Sequence, residues 1–295
     1  MKDFLRLVRT ALNREKHLWQ LNFEFCSRCN LRCRHCALDH SRDEKFLSFS
    51  TFVNALDSLE RHDYSIQNLV LSHSGDMLRH PDIAPFLYHL SAHRKTLSIE
   101  RVFMDSNMTL MDRKRAELII KSGAIDTLVC SIDGHDRQTF EYLRPPAKFD
   151  TIKENMQSLI DANQKYGPIE VVINCGNVSS TPSAISDEFN SVLELADSVV
   201  FYSFHDWGGQ VGIEGQNVPK RFCRFAFRNA VIMANGDIAK CCYDLNGRTS
   251  YGNIIDSDLH DVLTSRRRKT DLLKMFFARR DLVQGCAGCT IGGSE

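Results

Sequence analysis

The chain has no excess charge of either sign: Lys plus Arg number 37 and Asp plus Glu number 37 in 295 residues. Without a net basic field, the composition gives no case for a nucleic-acid or membrane-surface partner. No run approaches the ~18 consecutive apolar residues of a membrane span. The N-terminus also lacks a secretory signal. Met1 to Gln20 interleaves Lys2, Asp3, Arg6, Arg9, Arg14, Glu15 and Lys16 with apolar residues, leaving no apolar h-region or small-residue cleavage site. These absences predict a cytoplasmic protein whose thiols stay reduced. A complete set of intrachain disulfides is excluded as well, because the 11 cysteines are an odd number.

Those cysteines are the feature that stands out. Hydrophobic residues make up 43% of the chain and charged residues 25%, as in a packed globular protein. Cys26, Cys29, Cys33 and Cys36 fall within "FEFCSRCNLRCRHCALDH", and Cys223, Cys241, Cys242, Cys286 and Cys289 lie near the other end. Clustered reduced thiols point to metal or redox chemistry. Cys130 and Cys175 stand singly in the apolar runs "TLVCSID" and "VVINCGN", as small buried core residues would.

The first cluster can be cut into two triads, Cys26/Cys29/Cys33 or Cys29/Cys33/Cys36. Three thiolates can hold a [4Fe-4S] cluster and leave one iron open for a substrate or cofactor. Zinc is the competing reading, with His35 or His40 completing a closed four-ligand site. In the second group, "NAVIMANGDIAKCCYD" has the pattern of a β-hairpin turning at Asn235-Gly236. Cys223 and Cys241 flank it, and Cys286 and Cys289 form a C-x2-C; two such pairs could also bind zinc.

Between the two groups, apolar strands alternate with amphipathic helices. Strands are predicted at 19–25, 68–74, 98–107, 126–133, 169–176 and 198–205. Helices are predicted at 49–62, 82–93, 111–122, 150–166 and 183–195, with apolar spacing as in Ile152, Met156, Leu159 and Ile160. The alternation predicts an α/β fold with parallel strands and right-handed crossovers.

The run "CNLRCRHC", as C-x3-C-x2-C, resembles the radical S-adenosylmethionine (SAM) superfamily. The resemblance implies an α/β fold: a partial (β/α)6 TIM-like barrel over 19–205, behind a helical extension at 1–18. In that family, three cysteines (here Cys29, Cys33 and Cys36) hold a [4Fe-4S] cluster whose open iron chelates SAM. Its reductive cleavage yields a 5′-deoxyadenosyl radical that takes hydrogen from the substrate. The segment Ser74-Gly75-Asp76-Met77 stands where the family has G-G-E-P, which binds the SAM amino group; Asp76 keeps a carboxylate, one methylene shorter. Asn107, in "DSNMTLM", matches the family's "TNG-x-L" turn. Ser131 and Asp133 follow in "SIDGHD" and Arg144 in "YLRPP". The resemblance puts Ser131 on the cofactor ribose and Arg144 on the SAM carboxylate.

The tail C…G-D-x-x-x-C…G-N-I…C-x2-C resembles the twitch domain, the shortened form of SPASM. This implies a small α+β domain at 206–295, holding one auxiliary [4Fe-4S] cluster on Cys223, Cys241, Cys286 and Cys289. The whole resembles the aminocyclitol dehydrogenase type, including Gly208-Gly209 after the last barrel strand. It departs from that type in having Trp207 for an arginine and Tyr243 for an acidic residue.

Three functions follow as expectations. The first is a radical SAM oxidoreductase acting on a sugar, aminocyclitol or peptide, with Tyr243, Asp244 or His205 as base. Its auxiliary cluster accepts an electron, and a flavodoxin or ferredoxin supplies the reductant. The second is a radical SAM epimerase with Cys242 as hydrogen donor. The third is a non-catalytic zinc-binding protein. His205, Asp206 and Gln210 are expected as substrate contacts. The short stretch before the first strand argues against an N-terminal leader-peptide domain. The basic run "SRRRKTD" reads as a solvated helix face.

Overall fold

The computed structural model describes residues 9, 16–177, 185–211, 223, 225–287 and 289–291. The helical extension expected at 1–18 lies mostly outside them; His17 and Leu18 are the start of a strand.

Six strands alternate with helices: β1 (His17–Phe23), β2 (Ser65–Val70), β3 (Ile99–Ser106), β4 (Thr127–Ser131), β5 (Glu170–Asn177) and β6 (Ser198–Ser203). The intervening helices are α1 (Phe49–Arg61), α2 (Ala84–His93), α3 (Arg113–Ser122), α4 (Arg137–Leu143), α5 (Phe149–Tyr166) and α6 (Asp187–Leu193). Each strand pairs in parallel with the next. Their carboxyl ends therefore all open on one side, where α/β barrels build their sites. The helices bury one face each. In α1 it is Phe52, Ala55, Leu56 and Leu59, behind an N-cap in which the Ser48 side chain accepts from Thr51 N. In α5 it is Ile152, Met156, Leu159 and Ala162. Leu21, Phe23, Leu69, Val102, Leu128 and Val171 are fully buried beneath them.

The helix α4 was not expected. It is started by a capping box, in which Asp136 and Thr139 bond reciprocally. The second strand also stops earlier than expected, at Val70, because Ser72 and Ser74 leave the ladder for Asp105 and Glu24.

The C-terminal part comprises α7 (Phe225–Arg228), β7 (Asn229–Ile232), β8 (Asp237–Ala239), β9 (Ser250–Asn253), α8 (Leu259–Leu263) and α9 (Arg266–Phe276). The predicted hairpin is there, with Gly236 at φ 84° in its turn. It does not form a sheet of its own. Strand β7 lies parallel to β1, pairing Gln20 with Asn229 through Phe23 with Ile232. The result is one nine-stranded open sheet in the order β6-β5-β4-β3-β2-β1-β7-β8-β9. The change of chain character near residue 206 is thus bridged by a continuous ladder. Among the described residues no helix is long and apolar enough to cross a membrane.

Candidate active site and auxiliary cysteine site

The loop after β1 carries the first cysteines. Its base is closed by Leu47 N donating to Phe25 O (3.1 Å) and Ser27 N to Lys45 O (3.0 Å). Its middle is fastened to the end of α4, with Arg32 N donating to Pro145 O (2.7 Å) and Arg34 N to Leu143 O (3.0 Å). Cys29, Cys33 and Cys36 face a cleft of about 410 Å³ at the strand ends. Cys26 does not: it is fully buried in a bridge to Phe46. Of the two triads, C-x3-C-x2-C is thus the one whose three thiols all line the cleft. Burial raises all three thiols, Cys33 to about 12.

Ser74, Gly75, Asp76, Asn107, Ser131, Arg144 and His205 line the same cleft. Gly75 is required by proximity: a Cβ there would lie 2.2 Å from Cys26 O and 2.5 Å from Arg28 O. The SGDM segment is thus packed directly on the cysteine loop. Asp76 is buried, which pushes its carboxyl up. Its Oδ2 accepts from Asn107 N (2.7 Å) and Ser106 Oγ (3.0 Å), and Oδ1 from Leu78 N (2.9 Å). One Oδ1 lone pair remains for an ammonium. Asn107 Nδ2 donates to Cys29 Sγ at 3.6 Å and to Asn30 Oδ1 at 3.0 Å.

Arg144 is committed first to the protein. Its Nε and Nη2 clamp Asp133 Oδ2 at 2.6 and 2.5 Å, while Nη1 reaches Cys33 Sγ at 4.0 Å. Asp133 does not line the cleft and is fully buried. Its burial would raise its carboxyl, but Arg144, His35 and the Gly176 N–H hold it below the usual range. Asp133 therefore positions Arg144, and Nη1 is the part of the fork left toward the cleft.

The three expected bases fare differently. Asp244 does not fit the role, because its carboxylate closes a turn by accepting from Arg248 N (3.0 Å), Thr249 N (2.9 Å) and Thr249 Oγ1 (2.9 Å). The Tyr243 phenol is pushed up to about 12 by burial, so it holds its proton. His205 stays in the cleft wall, but its Nδ1 accepts from Trp207 N at 3.1 Å, so that lone pair is taken. Cys242 faces neither cavity. It packs on Val231, Met233 and Ala239 and accepts from Asn229 Nδ2 at 3.3 Å, which leaves it badly placed as a hydrogen donor. Among the other expected contacts, Asp206 is buried and accepts from Gly208 N and Thr290 Oγ1. Gln210 ties Trp207 O to Tyr243 O.

Other residues of the site carry no motif signal. His73 lines the cleft, and its Nε2 lies 3.3 Å from Asp244 O. That contact fixes the N–H on Nε2 and leaves Nδ1 as an acceptor; burial lowers its pKa, favouring the neutral ring. His35, between Cys33 and Cys36, stacks on Phe204 with ring centroids 4.0 Å apart. Glu24 is a buried hub. It takes Arg42 Nη1 (3.0 Å), Ser74 Oγ and Ala234 N (2.8 Å), and so joins the cysteine loop, the SGDM segment and the hairpin.

A second cavity, of about 150 Å³, is lined by Cys223, Cys241, Cys286 and Cys289 together. These four come from widely separated segments. The Trp207-Gly208-Gly209 turn presses on them: all three residues have positive φ, and a Cβ on Gly208 would lie 2.9 Å from Cys289 Sγ. Arg280 also lines the cavity, and its buried Nε lacks a partner among the described residues. Trp207 lines both cavities, and its Nε1 donates to His35 O at 2.8 Å. Among the described residues no three Cys, His, Asp or Glu side chains are grouped for a single metal ion. The donor sets suit iron–sulfur clusters nonetheless: three thiols beside an open cleft, and four around a small cavity with a cation in its wall.

Residues 23–177 match the Radical SAM superfamily, and residues 223–290 match SPASM, an iron-sulfur cluster-binding domain. No curated protein matches the sequence. Solved structures share the fold. BtrN in complex with AdoMet and 2-DOIA superposes with a TM-score of 0.61 at 15% identity, over 93% of this chain and 94% of that one. Streptococcus suis SuiB bound to its precursor peptide SuiA gives 0.68 at 16%, over 98% and 73%. Native anSMEcpe with bound AdoMet gives 0.63 at 13%, over 92% and 88%. The family match spans more than half of the chain, and it sits on the barrel whose strand ends carry the cysteine cleft; the protein belongs to the radical SAM superfamily, with SAM and [4Fe-4S] clusters as its cofactors and an iron–sulfur cluster-binding domain at its C-terminal end.

Proposed function

We propose that this enzyme oxidises a polar substrate (a sugar, an aminocyclitol or a peptide) and passes one electron to its auxiliary cluster. The bound cofactors supply the 5′-deoxyadenosyl radical that takes a hydrogen atom from a substrate carbon. The observation that carries this reading is Trp207, which lines both cysteine-lined cavities. A substrate in the larger cleft is then adjacent to the electron acceptor in the smaller one.

The chain's own residues have separable tasks. Cys29, Cys33 and Cys36 hold the first cluster, and Cys223, Cys241, Cys286 and Cys289 hold the second. Asn107 donates to the Cys29 sulfur. The Arg144 Nη1 meets the SAM carboxylate, Asp76 Oδ1 and the SGDM backbone meet its ammonium, and Ser131 meets its ribose. His73 Nδ1 takes the proton that the oxidised substrate gives up, because its Nε2 is held by the Asp244 carbonyl. A flavodoxin- or ferredoxin-type protein of the cytoplasm is the reductant.

The test is an anaerobic reaction with SAM, dithionite and deuterated aminocyclitols, sugars or peptides. Deuterium in 5′-deoxyadenosine together with a product that has lost that deuterium and one further hydrogen is the expected result. Deuterium transfer with a product in which a hydrogen has replaced that deuterium at inverted configuration would replace oxidation by epimerisation. Zinc in place of iron after anaerobic reconstitution would sink both.

A further inference from the structure

Arg280 is 2% exposed and begins the short 3-10 turn Arg280–Leu282. Its Nη1 donates to Ile291 O at 2.6 Å and its Nη2 to Cys289 O at 2.7 Å. Both partners are neutral carbonyls. Two other buried cations have a carboxylate partner, Arg144 with Asp133 and Lys240 with Asp271 at 2.8 Å, while buried Arg268 donates to Leu263 O and lines neither cysteine cavity. A guanidinium removed from water is costly to bury unless an anion stands beside it. The remaining donor, Nε, is buried and without a partner among the described residues, and the side chain lines the four-cysteine cavity.

We infer that Arg280 is the counter-cation of the auxiliary cluster: its Nε–H donates to a cluster sulfur, and its charge raises that cluster's reduction potential. The inference rests on the reading that Cys223, Cys241, Cys286 and Cys289 hold the cluster. Four thiolates outweigh the positive iron–sulfur core, so the assembly is an anion. One added electron makes it more negative. A fixed cation beside it stabilises the reduced form more than the oxidised form, and hydrogen bonds to the sulfurs act in the same direction. The fork performs a second task with its other two nitrogens, pinning the chain just beyond Cys289. Arg280 is therefore a positioning residue that acts on potential, not on substrate.

The measurement is an EPR-monitored redox titration of reconstituted full-length protein in a Cys29→Ala/Cys33→Ala/Cys36→Ala background. About four irons retained there confirm the ligand reading by itself; absence of iron refutes that reading and, with it, the inference. Within this background, Arg280→Gln moves the midpoint potential to more negative values. Arg280→Lys, which keeps the charge and loses the Nε–H bond, moves it less in the same direction. The exposed neighbour Arg279, paired with Asp281, serves as control, and Arg279→Gln leaves the potential in place. An unmoved potential in Arg280→Gln with iron retained overturns the inference. If Arg280→Gln assembles no cluster, Arg280→Lys decides: a shift absent from Arg279→Gln supports the inference, and none overturns it.

Discussion

The two cysteine sites are built on opposite plans. Cys29, Cys33 and Cys36 lie on one loop, and backbone hydrogen bonds to Phe25, Leu143 and Pro145 shape it. Cys223, Cys241, Cys286 and Cys289 meet only when a hairpin, a helix pair and a C-terminal loop have come together. The first site faces a cleft of about 410 Å³, the second a cavity of about 150 Å³. The cations differ too. Arg144 is neutralised by Asp133 and leaves Nη1 toward the cleft, whereas Arg280 has no carboxylate partner among the described residues. The lesson is a division of labour. A site preformed by local bonds can exchange its ligand, while a site closed by tertiary structure holds a group that stays and couples it to folding.

The largest expected effect separates the sites. Cys33→Ala should abolish 5′-deoxyadenosine formation while the protein keeps about four irons in the auxiliary site; loss of all iron would show the sites to be interdependent. Cys286→Ala with Cys289→Ala is the reciprocal cut. It should leave SAM cleavage running and lower oxidised product roughly tenfold or more, ~1.4 kcal/mol or more of barrier. Product formed at the wild-type rate without auxiliary iron would remove the electron-acceptor role.

Next in size is the joint between the sites. Glu24 receives Arg42 from the loop and Ala234 N from the hairpin. Glu24→Ala leaves Arg42 with Leu245 O and deprives the buried Ala234 N of its acceptor, and should cost about 1–3 kcal/mol, read from the urea midpoint. A milder cost would mean that β7 is held to β1 by its ladder alone. Trp207→Ala then opens the shared wall. It should raise the ratio of 5′-deoxyadenosine to product a few-fold with iron content unchanged; an unchanged ratio would deny the wall a role in coupling.

Local features were legible in the sequence. The spacing of the loop cysteines leaves two triads, between which the family resemblance chooses, and the strand–helix alternation follows from apolar period, as in Ile152, Met156 and Leu159. The start of α4 was legible but hidden. Asp136 and Thr139 spell its cap, while Gly134 and the two prolines after Arg144 suggest a turn. The rest depends on contacts distant in sequence. Nothing local says that β7 lies beside β1, or that the Asp244 carbonyl sets the His73 tautomer. The same distance misled the reading of Asp244 as a base: as a residue near a cluster cysteine it looks reactive, and only the turn through Thr249 uses up its oxygens.

The smallest expected effect tests the residue on which the two enzyme readings part. Cys242 adjoins Cys241 in sequence and the two thiols touch, yet only Cys241 lines the auxiliary cavity, while Cys242 packs on the hairpin. Its sulfur is held by Asn229 Nδ2 and lines neither cavity. Cys242→Ala should therefore remove a small packed side chain, cost about 1 kcal/mol of stability, and leave both SAM cleavage and product formation within about twofold of wild type, under ~0.5 kcal/mol of barrier. An epimerase that drew its hydrogen from this thiol would behave otherwise. It would still cleave SAM, but the substrate radical would go unquenched and inverted product would vanish. Measuring 5′-deoxyadenosine and product side by side in Cys242→Ala distinguishes these outcomes, because a general loss of fold lowers both together.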